Sequence, residues 1–163
     1  MKTIELSPDE VARRAMQTPM QLRVTAAQDV LEKLPQIPCP LDHEFVKQFY
    51  IRTIHVPVLQ GEKFTLVVSK IFKADFPFFL SKGRVSVWVE GQGVVEMQAP
   101  AWGFTKAGSR RVILCHEDVD WTTFHRTDVK NEEQAEAEVI YSPDKDSEMN
   151  IPAEALKELK GAL

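Results

Sequence analysis

Lys73, Asp75, Arg110 and Arg111 are the residues of this chain whose types and spacing most directly suggest chemistry. Lys73 and Asp75 are two apart, so on an extended strand they share a face, whereas the neighbours Arg110 and Arg111 point opposite ways. Arginine's planar fork suits a carboxylate or a phosphate. Two readings follow: an internal salt bridge with Asp75, or a pocket that accepts an anion. The histidines are His43, His55, His116 and His125, and no two stand at the short spacings HxH or HxxxH. Any metal site must therefore be assembled by the fold. His116, Glu117 and His125 approximate two histidines and a carboxylate, but His116 and Glu117 face opposite sides of a strand unless a bulge intervenes. The expectation is no metal, with His116 half-exposed near a turn and His125 hydrogen-bonded at a strand end.

Trp88, Trp102 and Trp121 either line a ligand cavity or fill core and interface. Phe76, Phe78 and Phe79 bracket Pro77, as in a core corner or an edge buried against another copy. Cys115 is expected inside a strand and inert, and Cys39 in a proline-rich connector has no CxxC or Cys–His spacing that would make it a nucleophile. No GxxxxGK[ST], GxGxxG or GxSxG motif occurs.

The elements that must position these groups follow from the pattern. Ser7, Pro8 and Glu10 form a capping box for a first helix, which Pro19 is expected to stop. Thr25 and Gln28 repeat the box for a second. Pro35, Pro38 and Pro40 then favour an extended connector. From about Phe45 to His125 short strands alternate with turns: Phe45–Ile51, Phe64–Phe72, Phe76–Leu80, Arg84–Glu90, Val94–Met97, Trp102–Thr105, Arg111–His116 and Trp121–His125. Short strands in such close succession mean a sandwich or barrel, not a parallel sheet. Residues 126–163 carry ten acidic and five basic side chains. They are expected to form a helical turn or two at Glu132–Glu138, a mobile linker over 142–149, and a last helix capped by Asn150 with Ala155, Leu156, Leu159 and Leu163 as its apolar stripe.

With 163 residues, 44% apolar, the chain suits one domain with a substantial core. No apolar run reaches the length of a membrane span, and the N-terminus lacks the apolar core of a signal peptide. A formal charge of -4 argues against general nucleic-acid binding. Two cysteines make no disulfide framework, so a reduced, cytoplasmic chain is expected.

The segment from Lys73 through Asp75 and Gly83 to Trp88 resembles the first conserved motif of the cupin superfamily, a ligand-bearing strand running into a glycine-turned hairpin. Ala99-Pro100 with Gly103 to Arg111 resembles the second, and the ending Trp121 to His125 is similar to small cupin-like proteins that recur in bacteriophage genomes. The resemblance spans about residues 43–128 and implies a mainly β, cupin-like antiparallel barrel (jelly roll). A helical arm (1–42) would precede it and an acidic tail with a helix (129–163) would follow. It also implies a homodimer. In metal-binding cupins the first motif presents His-x-His and a glutamate; here the stretch reads Phe72-Lys73-Ala74-Asp75, and the second-motif position falls on Arg111. The resemblance thus places Lys73 and Arg111 inside the barrel in place of metal ligands, with Arg110 turned to solvent. No cofactor is expected.

The resulting expectation is a non-enzymatic, phage-type accessory protein whose barrel binds a partner protein or an anionic small molecule through Lys73, Asp75, Trp88, Arg111, Trp121 and His125. One alternative is a cupin enzyme, either a metal-dependent oxygenase or isomerase, or a metal-independent epimerase using His116 or His125 as base. Another is a virion structural component.

Overall fold

The computed structural model describes residues 4–141 and 148–157. Two helices open it, α1 (Pro8–Ala15) and α2 (Pro19–Leu31). The Ser7–Glu10 capping box is formed in full. Pro19, however, starts α2 rather than stopping α1: proline is preorganised for the first helical position, and Thr18 supplies the cap. Thr25 and Gln28 lie inside that helix.

Ten strands follow: β1 (Leu41–Val46), β2 (Phe49–Val56), β3 (Thr65–Val68), β4 (Ile71–Phe72), β5 (Phe76–Lys82), β6 (Arg84–Val89), β7 (Gly93–Gln98), β8 (Ala101–Thr105), β9 (Val112–Cys115) and β10 (Val119–Arg126). The C-terminal part adds α3 (Glu132–Val139), β11 (Ile140–Tyr141), β12 (Met149–Pro152) and α4 (Ala153–Leu156). The strand expected at Phe45–Ile51 is in fact two strands joined at Lys47-Gln48, where Gln48 takes φ 66°. Asn150 caps no helix; it lies within β12, paired with Val67 of β3. The expected linker positions 142–147, and Leu159 and Leu163 of the expected stripe, lie outside the described residues.

Strand pairing defines the architecture. β6 pairs with β7, β5 with β8, β3 with β9 and β2 with β10, all antiparallel, as in one long hairpin folded over on itself. Cross-pairs β10·β5 and β9·β6 roll that hairpin into two sheets, β1-β2-β10-β5-β8 and β12-β3-β9-β6-β7. That nesting is a jelly roll. The fold expected from strand spacing and resemblance is the fold found, with β12 added from the C-terminal segment.

Alternation along β2 and β10 decides what enters the barrel. Tyr50, Arg52, Ile54 and Val56 face inward from β2, opposite His125, Thr123, Trp121 and Val119 of β10. One end is an apolar plug of Ile54, Val56, Val67, Phe78, Leu80, Val85, Val87, Ile113 and Trp121. Within it Phe78 stacks on Trp121, and Gly103 of β8 leaves room for the Phe78 ring: a Cβ there would stand 2.9 Å from Cζ. The other end is an aromatic cluster of Tyr50, Phe72 and Phe76, covered by Ala135 and Val139 of α3. A third cluster, with Val24 and Leu31 of α2 and Ala155 of α4, seals the outside of β3 and β12. No helix among the described residues is long and apolar enough to cross a membrane.

Candidate functional site

Between the two plugs a layer of polar side chains reaches a cavity of about 50 Å³ whose walls are otherwise mainly apolar. That is room for a few waters or one small ion. Arg52, Ser69, Lys70, Thr105, Arg111, Thr123 and Glu148 line it together with Phe72, Phe76, Cys115 and Trp121. Arg52 comes from the centre of β2 and is 5% exposed. Arg111 stands just ahead of β9, where its backbone N–H donates to Ser69 Oγ (2.9 Å), and its Nη2 donates across to the Phe104 carbonyl (3.1 Å).

The layer's hydrogen bonding is incomplete. Arg52 Nη2 lies 3.5 Å from Glu148 Oε2, and Arg52 Nε is 3.8 Å from Glu136 Oε1, too far for a hydrogen bond. Arg52 Nε, Arg111 Nε and Thr105 Oγ1 are all buried and unpartnered among the described residues. No described carboxylate pairs with Arg111, and burial lowers its pKa from the ordinary guanidinium value. Two arginines therefore line one cavity, and each keeps an enclosed Nε without a hydrogen bond among the described residues. Such groups are costly to bury unless an acceptor meets them.

His125 is close by but does not line the cavity. Its ring stacks on Phe72 (4.3 Å between centroids) and meets Tyr50 and Phe76. Its Nε2 shares a 2.7 Å bond with Thr123 Oγ1, whose hydroxyl donates to the Arg52 carbonyl, so Nε2 carries the proton. Burial, with Arg52 adding repulsion, pulls its pKa down to about 3. This is a neutral structural histidine.

The residues singled out from sequence fall into different places, although Lys73, Asp75 and His125 share one, a surface cleft of about 330 Å³ that Asp9 and Glu138 also line. Arg111 and Trp121 line the cavity. Lys73 does not: it follows the short β4, turns outward, lies 3.6 Å from Asp9 and donates to the Ala137 carbonyl. Asp75 is exposed and accepts from the Ala107 N–H (2.8 Å), so the Lys73–Asp75 bridge is not formed. Trp88 alternates to the outer face of β6 and is 43% exposed. Arg110, expected in solvent, is 2% exposed because α2 covers it; it donates to Gln28 Oε1 (2.8 Å) and the Ser69 carbonyl. His116 bonds Ser86 Oγ (2.6 Å), which also donates to Glu96, outside the barrel and away from His125. Arg52, Thr105 and Glu148 were missed. The signal for Arg52 was a cation in phase with Tyr50, Ile54 and Val56, visible only once the strand begins at Phe49.

A divalent metal in the cavity meets a poor donor set. Arg52, Lys70 and Arg111 oppose it, and Glu148 and Cys115 are the only anionic-type ligands in the lining. Burial pushes the Cys115 thiol up to about 12, far from thiolate. Among the described residues, ligand-type side chains converge elsewhere, at His43, Glu132 and Glu136. There His43 already bonds Tyr50 Oη and lies 3.1 Å from Glu132, while Glu136 faces Arg52. These contacts tie α3 to β1 and β2.

No family model matches the chain, and no curated protein does. Solved structures align with part of it. An acetylacetone dioxygenase from Acinetobacter johnsonii is 13% identical, with a TM-score of 0.45, over 80% of this chain and 87% of that one. Ectoine synthase from P. lautus is 14% identical, TM-score 0.44, over 72% and 91%. A cupin superfamily protein from Desulfitobacterium hafniense is 8% identical, TM-score 0.44, over 59% and 84%. At such values no activity carries over, and the jelly roll is established by the chain's own strand order. Proteins named as cupins are among the structures it aligns with.

Proposed function

We propose that the chain is a non-enzymatic binding protein whose barrel interior holds a small anion, a carboxylate or a phosphate, between Arg52 and Arg111. The observation that supports this is that the buried Arg52 and the half-buried Arg111 line one cavity with Thr105, each guanidinium with an Nε that makes no hydrogen bond among the described residues. An oxyanion in the cavity supplies acceptors to the guanidinium groups, and in a low-dielectric layer such charge-assisted bonds are strong. Among the described residues no histidine lines the cavity, so a histidine base has no access to a ligand placed there.

Calorimetric titration of the full chain with inorganic phosphate and with acetate tests the reading. Binding of at least one anion is expected, with loss of the heat signal in Arg111→Met. If the variant binds both anions as the native chain does, the reading fails.

The homodimer belongs to the same proposal. Phe79 of β5 sits directly opposite Trp102 of the edge strand β8, with Phe104 beyond it, and the last two are 72% and 65% exposed. An aromatic row on an open sheet edge is the surface a second copy would cover. Light scattering on Trp102→Lys, expected as a monomer against a native dimer, is the check.

A further inference from the structure

Glu148 stands immediately ahead of β12 and is the single carboxylate in the cavity lining among the described residues. Its side chain is 13% exposed. Neither of its hydrogen bonds is good: 3.5 Å from Arg52 Nη2 and 3.4 Å from Asn150 Nδ2. A carboxylate that neutralises a buried guanidinium without seating on it fulfils neither role well. It shares the neutralising of Arg52 with Glu136, which lies 3.8 Å from Nε, and neither carboxylate gives Arg52 Nε a hydrogen bond. Arg111 has no such countercharge among the described residues.

We propose that Glu148 is a built-in occupant of the anion site, and that it sets the charge of the ligand the barrel accepts. This rests on the anion-binding reading above. With Glu148 and Glu136 set against Arg52, Lys70 and Arg111, one positive charge is left over at the cavity, so the native site favours a singly charged carboxylate. A doubly charged phosphate is repelled by Glu148 at close range, where a partly buried pair is little screened by salt. Removing the carboxylate frees Arg52 Nη2, leaves Glu136 as the one countercharge of Arg52 among the described residues and opens the site to dianions. Glu148 is therefore a specificity-determining residue that acts by like-charge exclusion.

The test compares the native chain, Glu148→Gln and Glu117→Gln by calorimetric titration with acetate and with inorganic phosphate at a pH where phosphate is mainly the dianion. Glu117 is exposed outside the barrel, so its replacement makes the same change in net charge without touching the cavity. Glu148→Gln is expected to bind phosphate about tenfold or more tightly than the native chain, on the order expected for one removed repulsion at short range. Acetate should gain less, and Glu117→Gln should track the native protein. Urea unfolding confirms that each variant is folded, and Glu148→Ala must give the same order of preference. Equal phosphate affinities in Glu148→Gln and Glu117→Gln, or weaker binding in Glu148→Gln, overturn the role of Glu148 and leave the anion site standing. No binding of either anion by the native chain or by Glu148→Gln removes the site itself, and the role of Glu148 with it.

Discussion

Thr105 and Thr65 are both fully enclosed, at 1% and 0% exposure, yet the same replacement should move stability in opposite directions. Thr65 Oγ1 donates to the Pro57 carbonyl at 2.7 Å. Thr105 lines the cavity, and its Oγ1 is buried with no hydrogen-bond partner among the described residues. Valine matches threonine in shape, so neither change opens a cavity; what changes is the hydroxyl. At Thr65 the variant forfeits a bond and strands a carbonyl, a loss of about 1–2 kcal/mol. At Thr105 it removes an orphaned polar group, a gain of about 1–2 kcal/mol. In a domain of this size 1 kcal/mol corresponds to roughly 2–4 °C in Tm. Urea unfolding at constant m is the assay. Thr105→Val should shift the midpoint upward and Thr65→Val downward. The gain at Thr105 should shrink in saturating anion, which would use the hydroxyl. If Thr105→Val loses about as much as Thr65→Val, the hydroxyl is already satisfied and the idea of a polar layer awaiting a ligand is refuted.

Three further outcomes follow from the same contacts. His55 bridges Asp42 (2.6 Å) and Asp120 (2.7 Å), bonds that raise its pKa, so its stabilisation is complete below about pH 6.5 and is lost as pH rises through the folded value; unfolding midpoints against pH should show that decline, and His55→Gln should remove it. His125 has the opposite sign: held neutral with a pKa of about 3, it destabilises the fold as pH falls from about 6.5 toward 3, by about 1.4 kcal/mol per unit, so His125→Phe should unfold at lower pH than the native chain. Gly103→Ala should cost about 1–3 kcal/mol in chemical denaturation, because the new Cβ meets the Phe78 ring at 2.9 Å while that ring is held against Trp121.

The sequence exposed the barrel better than it exposed the site. β6 and β7 were legible because Val85, Val87 and Val89 alternate cleanly and Gly91-Gln92-Gly93 marks the turn. The β1–β2 turn was not, because Lys47-Gln48 contains none of the residues that ordinarily announce one, and Gln48 accepts a left-handed φ without a glycine. That single omission shifted the reading of β2 and hid Arg52. Met149–Pro152 carries no strand signal of its own; pairing with β3 and burial under α2 and α4 make it one. Glu148 enters the cavity only through that pairing. Lys73 and Asp75 do share a stretch of chain, but it is a turn after a two-residue strand, so strand alternation does not govern them.

The central claim is that Arg52 and Arg111 together form an anion seat inside the jelly roll. Crystals soaked in perrhenate, a singly charged oxyanion whose rhenium scatters anomalously, are the sharpest check. A rhenium peak is expected within hydrogen-bond reach of both guanidinium groups, and it should be lost in Arg111→Met crystals. Rhenium peaks on the outer surface alone, with the cavity between Arg52 and Arg111 holding none, would refute the anion seat.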